Sequence, residues 1–134
     1  MTEPRAARSR ELAELAASLL LQRQGENLVI LHVGPLVGYA DYFLLISGRS
    51  SRHVQSLAEH LEEQMKRRGH LPLGVEGKGE GNWVLLDYNE VIVHVFHEPV
   101  RRFYDLEGLW ADAPRIEVSE EARRAVGPVQ EGDE

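Results

Sequence analysis

Cysteine is absent from all 134 residues, which removes disulfide frameworks, thiolate nucleophiles and Cys-type zinc sites at once. No apolar run approaches the roughly 18 residues that a membrane-spanning helix needs. Basic charge is the minority sign, with 15 Lys and Arg against 22 Asp and Glu and a formal net charge of −7. A protein that grips nucleic acid neutralises several phosphates and carries a basic face. Direct nucleic-acid binding is therefore not expected as the main mode, and a basic protein is the better electrostatic partner. The opening segment has arginines followed by leucines, but Glu11 and Glu14 interrupt it and its leucines recur at helical spacing. It reads as a helix and not as a signal peptide, so a cytoplasmic protein without a membrane attachment is expected.

The patterns of several chemistries are missing too. His94 and His97 lie three apart on a strand-like run, where alternation sends them to opposite faces. His53 and His60 are two helical turns apart, too far to chelate unaided, so no metal site is expected. Ser50, Ser51 and His53 lack the Gly-x-Ser-x-Gly elbow of a hydrolase. The glycines of Gly77–Gly81 precede no helix, and their one lysine stands before the last glycines, unlike a phosphate loop. A nucleotide-transferring enzyme needs acids converging on magnesium, and only the isolated Asp41 and Asp87 offer themselves. No catalytic residue and no cofactor is expected. The loop Ser47–Ser51 does run from a strand into a helix N-terminus, where backbone N–H groups favour an anion. Arg49, Ser50, Ser51 and Arg52 are candidates for such an anion contact.

What is present is the pattern of one α/β domain, with 43% hydrophobic and 28% charged residues. Leu12, Leu15, Ala16, Leu19 and Leu20 predict a helix over about 5–23. Strands follow over 28–33 and 41–47, separated by Gly34, Pro35 and Gly38. A serine-capped helix with the stripe Val54, Leu57, Ala58, Leu61 and Met65 ends at Gly69, its wet side carrying the pairs Glu62–Lys66 and Glu63–Arg67. Strands over 71–75, 83–88 and 91–97 come next, the last two joined tightly at Asn89-Glu90. The last strand is apolar on both faces, as in a sheet covered on both sides. A short helix from Pro99 to about Glu107 follows, and Trp110 closes the patterned region.

The expected architecture is a five-stranded mixed sheet flanked by helices. Strand two, helix two and strand three should form a right-handed crossover. Residues 1–110 make the single domain, and 111–134 an acidic, mobile tail in which Ser119–Val126 could form a helical turn or two.

Trp83, Tyr88, Phe96, Phe103, Tyr104 and Trp110 gather within 28 residues, with Arg101, Arg102, Asp87 and Asp105 among them. Phe96 and Phe103 read as core. Trp83, after a Gly-rich turn, and Tyr88, beside a hairpin, read as either interface or core, since aromatics with some exposure build binding hot spots.

At these residues the chain resembles a known family. Ala40-Asp41-Tyr42-Phe43, the run from Ser47 to Val54, Leu73-Gly74-Val75-Glu76-Gly77, Trp83–Tyr88, Val91–Phe96 and Phe103–Trp110 resemble the ribosomal silencing factor, or Iojap-like, family. The resemblance covers roughly residues 10 to 110 and leaves the tail outside. It implies a fold related to nucleotidyltransferases without their catalytic acids. It further implies binding to the large ribosomal subunit through its fourteenth protein, steric blocking of subunit joining, and repression of translation under nutrient limitation. Homodimers also occur among members, and organelle relatives help assemble the large subunit. Carried onto this sequence, the partner-binding segment matches Trp83, Leu85, Asp87 and Tyr88, where Tyr88 departs from the usual residue. Arg102 and Tyr104 are added from their nearness in sequence. Two alternatives stand beside this reading: an assembly factor with no silencing role, and a nucleotidyltransferase-like enzyme.

Overall fold

The alternation of apolar residues along the strands is realised as one sheet with two unlike faces. The computed structural model describes residues 3–118, with side chains from Ala7 onward. In chain order the elements are α1 (Glu3–Gln22), β1 (Glu26–His32), β2 (Tyr42–Gly48), α2 (Ser51–Arg67) and β3 (Gly74–Glu76). They continue as β4 (Trp83–Asp87), β5 (Val91–His97), α3 (Glu98–Tyr104), α4 (Leu106–Leu109) and β6 (Arg115–Ile116).

The sheet has six strands in the order β3-β4-β5-β2-β1-β6, not the expected five. The added strand is the two-residue β6, whose Arg115 and Ile116 pair with Leu31 and Ile30. The segment after Trp110 is therefore part of the fold: Ala113 is buried, and Ile116 and Val118 pack against the core. Ser119–Val126 lies outside the described residues.

Only β2 and β5 run parallel; every other pair is antiparallel. Because β5 parallels β2 and β4 is antiparallel to both β5 and β3, β2 and β3 point the same way, and α2 makes the expected crossover between them, passing over two intervening strands. Helix α2 carries the chain from the centre of the sheet to its edge, and β5, not β3, becomes the parallel neighbour of β2. A tight turn through Asn89, at φ 75°, reverses the chain between β4 and β5 and fixes their register.

One face is closed by α1 and α2. Tyr42, Leu44 and Ile46 of β2, Val84 and Leu86 of β4, and Val91, Val93 and Val95 of β5 meet Ala13, Ala16, Leu19 and Leu20 of α1. The α2 stripe of Val54, Leu57, Ala58, Leu61 and Met65 completes this layer. Ser50 caps α2, accepting the His53 N–H at 3.0 Å.

One of the two ion pairs expected on α2 forms and the other is replaced. Glu63 does pair with Arg67 at 3.1 Å, whereas Glu62 reaches Lys78 at 2.6 Å across to the Gly-rich turn. Gln55 donates to the carbonyls of Lys78 and Gly79, so that turn is fastened to the helix. Gly77, at φ 84°, brings the turn so close to β4 that a Cβ would run into the Trp83 carbonyl. Only glycine fits there.

Candidate partner-binding surface

The second face is assembled from the alternate residues of the same strands. Phe43 and Leu45 of β2, and Ile92, His94 and Phe96 of β5, point away from α1 and α2. Strand β4 alternates half-exposed and buried, with Trp83, Leu85 and Asp87 half-exposed and Val84 and Leu86 buried among the helices. The helices α3 and α4 and the loop before β2 cover this face in part, through Val100, Leu106, Trp110, Val37 and Ala40. The sheet therefore keeps a half-open strip on the β4 side, and three of the residues singled out from sequence, Trp83, Leu85 and Asp87, stand on it together.

Ring contacts knit the strip into a continuous surface. Phe103 meets Tyr104 edge-on at 5.1 Å, and Tyr104 lies 5.0 Å from Trp83. Trp83 packs against Phe96 at 4.9 Å and His94 at 5.9 Å; His94 in turn meets Phe43 at 5.3 Å. Phe43 then touches Trp110 and Tyr39. Offset and edge-to-face pairs of this kind add stability beyond area burial. Beside Trp83, a depression of about 490 Å³ is lined by Asn82, Pro99, Val100, Phe103 and Tyr104. Phe103 is 81% and Tyr104 55% exposed at its rim.

Three expectations are corrected here. Phe103 is not core: α3 is a short surface helix, and its buried residue is Arg101. Tyr88 lies on the opposite side of the sheet from Trp83. It is 5% exposed and packed in the layer under α1 and α2, because it continues the alternation of Val84 and Leu86 on the inward face of β4. Burial, with Glu62 nearby, pushes its hydroxyl up to about 12. Arg102 leaves the aromatic strip altogether, pairing with Glu98 at 3.4 Å and lining a second depression with Asn27, Leu28 and Asp105.

The helix expected to run to Glu107 breaks at Asp105, whose left-handed backbone (φ 49°) ends α3 and whose carboxylate accepts the Gly108 N–H to start α4. The corner is held by Arg101, which sequence reasoning missed. Its guanidinium is 5% exposed and grips Glu107 through Nε at 2.9 Å and Nη2 at 3.1 Å. It also donates to the Asn27 carbonyl at 2.6 Å and the Ser47 hydroxyl at 2.8 Å. Such a bidentate pair fixes geometry as well as charge. Nothing in the Arg101-to-Glu107 spacing announces it, since positions six apart are not neighbours on a helix.

The candidate anion loop is engaged within the chain. Ser50 Oγ caps α2, Arg49 Nε pairs with Glu26 at 2.7 Å, and Ser51 Oγ reaches Asn82 at 3.4 Å. Arg52 is exposed. The His53 ring accepts the Arg49 N–H at 3.0 Å and meets the Arg23 carbonyl at 2.9 Å. The isolated acids also have partners: Ser9 donates to Asp41 at 2.6 Å, and the Asn89 N–H to Asp87 at 2.8 Å. Among the described residues, no three His, Cys, Asp or Glu side chains come together as a metal site, and no helix is long and apolar enough to cross a membrane.

The fold and this surface define a class: a small mixed α/β domain with one closed sheet face and one half-open aromatic face. The family model described as "Ribosomal silencing factor during starvation" matches residues 6–133, reaching past residue 110 into the tail. A ribosomal silencing factor from Halalkalibacterium halodurans is 36% identical over 110 residues, covering 82% of this chain and 94% of the relative. A crystal structure of a Chromobacterium violaceum protein superposes with a TM-score of 0.74 at 33% identity, over 76% of this chain and 85% of that one. The mouse protein named for mitochondrial assembly of the ribosomal large subunit is 30% identical over 100 residues, 72% of this chain and 44% of its own length. The chain belongs to the ribosomal silencing factor family.

Proposed function

We propose that this domain silences ribosomes by occupancy. It docks through the half-open face on the large ribosomal subunit, through that subunit's fourteenth protein, and excludes the small subunit. Translation in the cytoplasm is thereby repressed when nutrients are scarce. The observation that carries this reading is the strip of Trp83, Leu85, Asp87 and Tyr104, half-exposed on one face of a member of this family. Aromatic side chains that are partly buried before binding make effective anchors, because little freedom is lost when they are covered. A net charge of −7 suits a basic ribosomal protein and favours fast encounter.

The reading asks for no catalysis and no cofactor. It takes the sheet as a nucleotidyltransferase-like scaffold without catalytic acids, a reading supported by the local hydrogen bonds that Asp41 and Asp87 accept. Self-association into a homodimer belongs to the same reading, and sedimentation at several concentrations measures it.

The test is gradient sedimentation of purified ribosomal subunits with and without the protein. Silencing predicts a shift from joined to separate subunits and co-migration of the protein with the large one. Magnesium-dependent turnover of a nucleotide, lost in Asp41→Asn or Asp87→Asn, would instead favour an enzyme. The name of the mouse relative supports a second reading, assembly of the large subunit. That reading predicts incomplete large subunits in cells lacking the protein and no effect on mature ones.

A further inference from the structure

His94 is the anomaly of the sheet. Every other side chain of β5 from Val91 to Phe96 is apolar and buried, yet at this position stands an imidazole that is 5% exposed. Its Nδ1 accepts the indole N–H of Trp83 at 3.1 Å. An acceptor at Nδ1 places the ring proton on Nε2, and Nε2 is buried with no hydrogen-bond partner among the described residues. Leaving a buried donor unpaired costs about 1–3 kcal/mol. A phenylalanine or leucine would fill the same space between Phe43, Phe96 and Leu85 without that cost. Stability of the core does not account for a histidine here, whereas its single hydrogen bond, made to the residue at the centre of the half-open face, does.

We propose that His94 is the positioning residue of the aromatic face, fixing through Nδ1 the orientation in which the Trp83 indole is presented to a docking partner. Without that acceptor the indole would be held by ring packing alone. Its contacts with Phe96 at 4.9 Å and Tyr104 at 5.0 Å are tilted and apolar, and they do not fix which edge of the indole faces outward. The hydrogen bond does, and an anchor already held in its bound orientation loses less freedom on association. Burial supports the assignment from another side, because it pushes the imidazole down to about 4 and keeps Nδ1 free to accept at neutral pH. The proposal rests on the reading that this face docks on the large subunit.

The test uses the full chain, its indole resonances and purified large subunits. His94→Phe keeps the ring and removes the acceptor; His94→Asn returns an acceptor near the Nδ1 position. Loss of one hydrogen bond predicts roughly tenfold faster solvent exchange of the Trp83 indole proton and roughly tenfold weaker subunit binding in His94→Phe. His94→Asn should recover part of both, and serves alone should the phenylalanine variant fail to fold. In a Trp83→Phe background, which has no indole N–H, the His94 substitution should add less than about twofold, the signature of two residues acting through one contact. Full additivity in that cycle overturns the proposal, as does unchanged indole exchange in a folded His94→Phe. Unaltered binding by His94→Phe while Trp83→Ala binds poorly overturns the positioning role and leaves the docking face standing. Unaltered binding by Trp83→Ala removes both.

Discussion

The two faces of the sheet are built from neighbouring residues of the same three strands, and they are finished differently. On the α1/α2 side, Val84, Leu86, Val91, Val93 and Val95 are entirely buried, and the two helices supply an apolar stripe each. On the other side, Phe96 and Leu45 are as deeply buried, but Trp83 and Leu85 at the β4 end are only half covered, and Tyr104 and Phe103 extend the apolar surface into solvent. One face is finished within the chain. The other stops short, and its exposed end is aromatic and not aliphatic. A domain that needed only to be stable would cover its second face or line it with polar side chains. The difference separates the residues that hold the fold from those free to meet a partner, though they alternate along a single strand.

The comparison breaks most visibly at its closed face. Leu57→Ala, at a fully buried position of the α2 stripe, should cost about 3 kcal/mol of stability, within the span of roughly 2–5 for such truncations. Urea unfolding measures it, and subunit binding per folded molecule should not change. Weaker binding by the folded fraction would show that the faces are not independent.

His94 gives the half-open face its own pH signature. Burial holds its imidazole down to about 4 against an ordinary 6.5. Between those values the unfolded chain takes a proton that the folded protein refuses, so stability falls as pH drops through that window. The loss approaches about 3 kcal/mol near pH 4. Urea melts of the native chain and His94→Phe at several pH values isolate this contribution: the stability of the variant relative to the native chain should rise on acidification, and parallel curves would remove the histidine from the account.

Glu107→Ala takes the carboxylate from the buried Arg101 guanidinium and should cost about 1–3 kcal/mol. The lower end is favoured because Glu107 is itself a quarter exposed and Asn27 and Ser47 still accept from the arginine. Since Arg101 ties α3 to β1 and β2, this variant should also lower the affinity for large subunits modestly by loosening the helix that carries Tyr104. A loss of stability without any loss of affinity would confine the arginine to the scaffold.

Much of this was legible in the residue pattern because alternation and helical spacing are local signals. The stripe from Val54 to Met65, the serine cap, the glycine stop and the shared face of Trp83, Leu85 and Asp87 all follow from a period of 3.6 or of 2. What escaped depends on contacts distant in sequence. Arg115 and Ile116 are too few to announce a strand and acquire one only by pairing with β1. Tyr88 shares the parity of Val84 and Leu86, so alternation alone places it in the core, and only its position beside the hairpin suggests an edge. Phe103 is left outside and Arg101 is buried because the carboxylate that receives the guanidinium arrives only after the break at Asp105. His94 carried a signal, a polar residue in an otherwise apolar run, but its bond to Trp83 is visible only once the β4–β5 register is known.

The central claim is that the half-open face is the docking face, and co-sedimentation of Trp83→Ala with purified large subunits tests it most directly. The variant should first show a cooperative thermal melt, because Val84 and Leu86 still anchor β4 in the closed layer. Removing a central aromatic anchor predicts affinity at least about thirtyfold lower, equivalent to roughly 2 kcal/mol. A folded Trp83→Ala protein that still co-migrates with the large subunit as the native chain does would contradict the account.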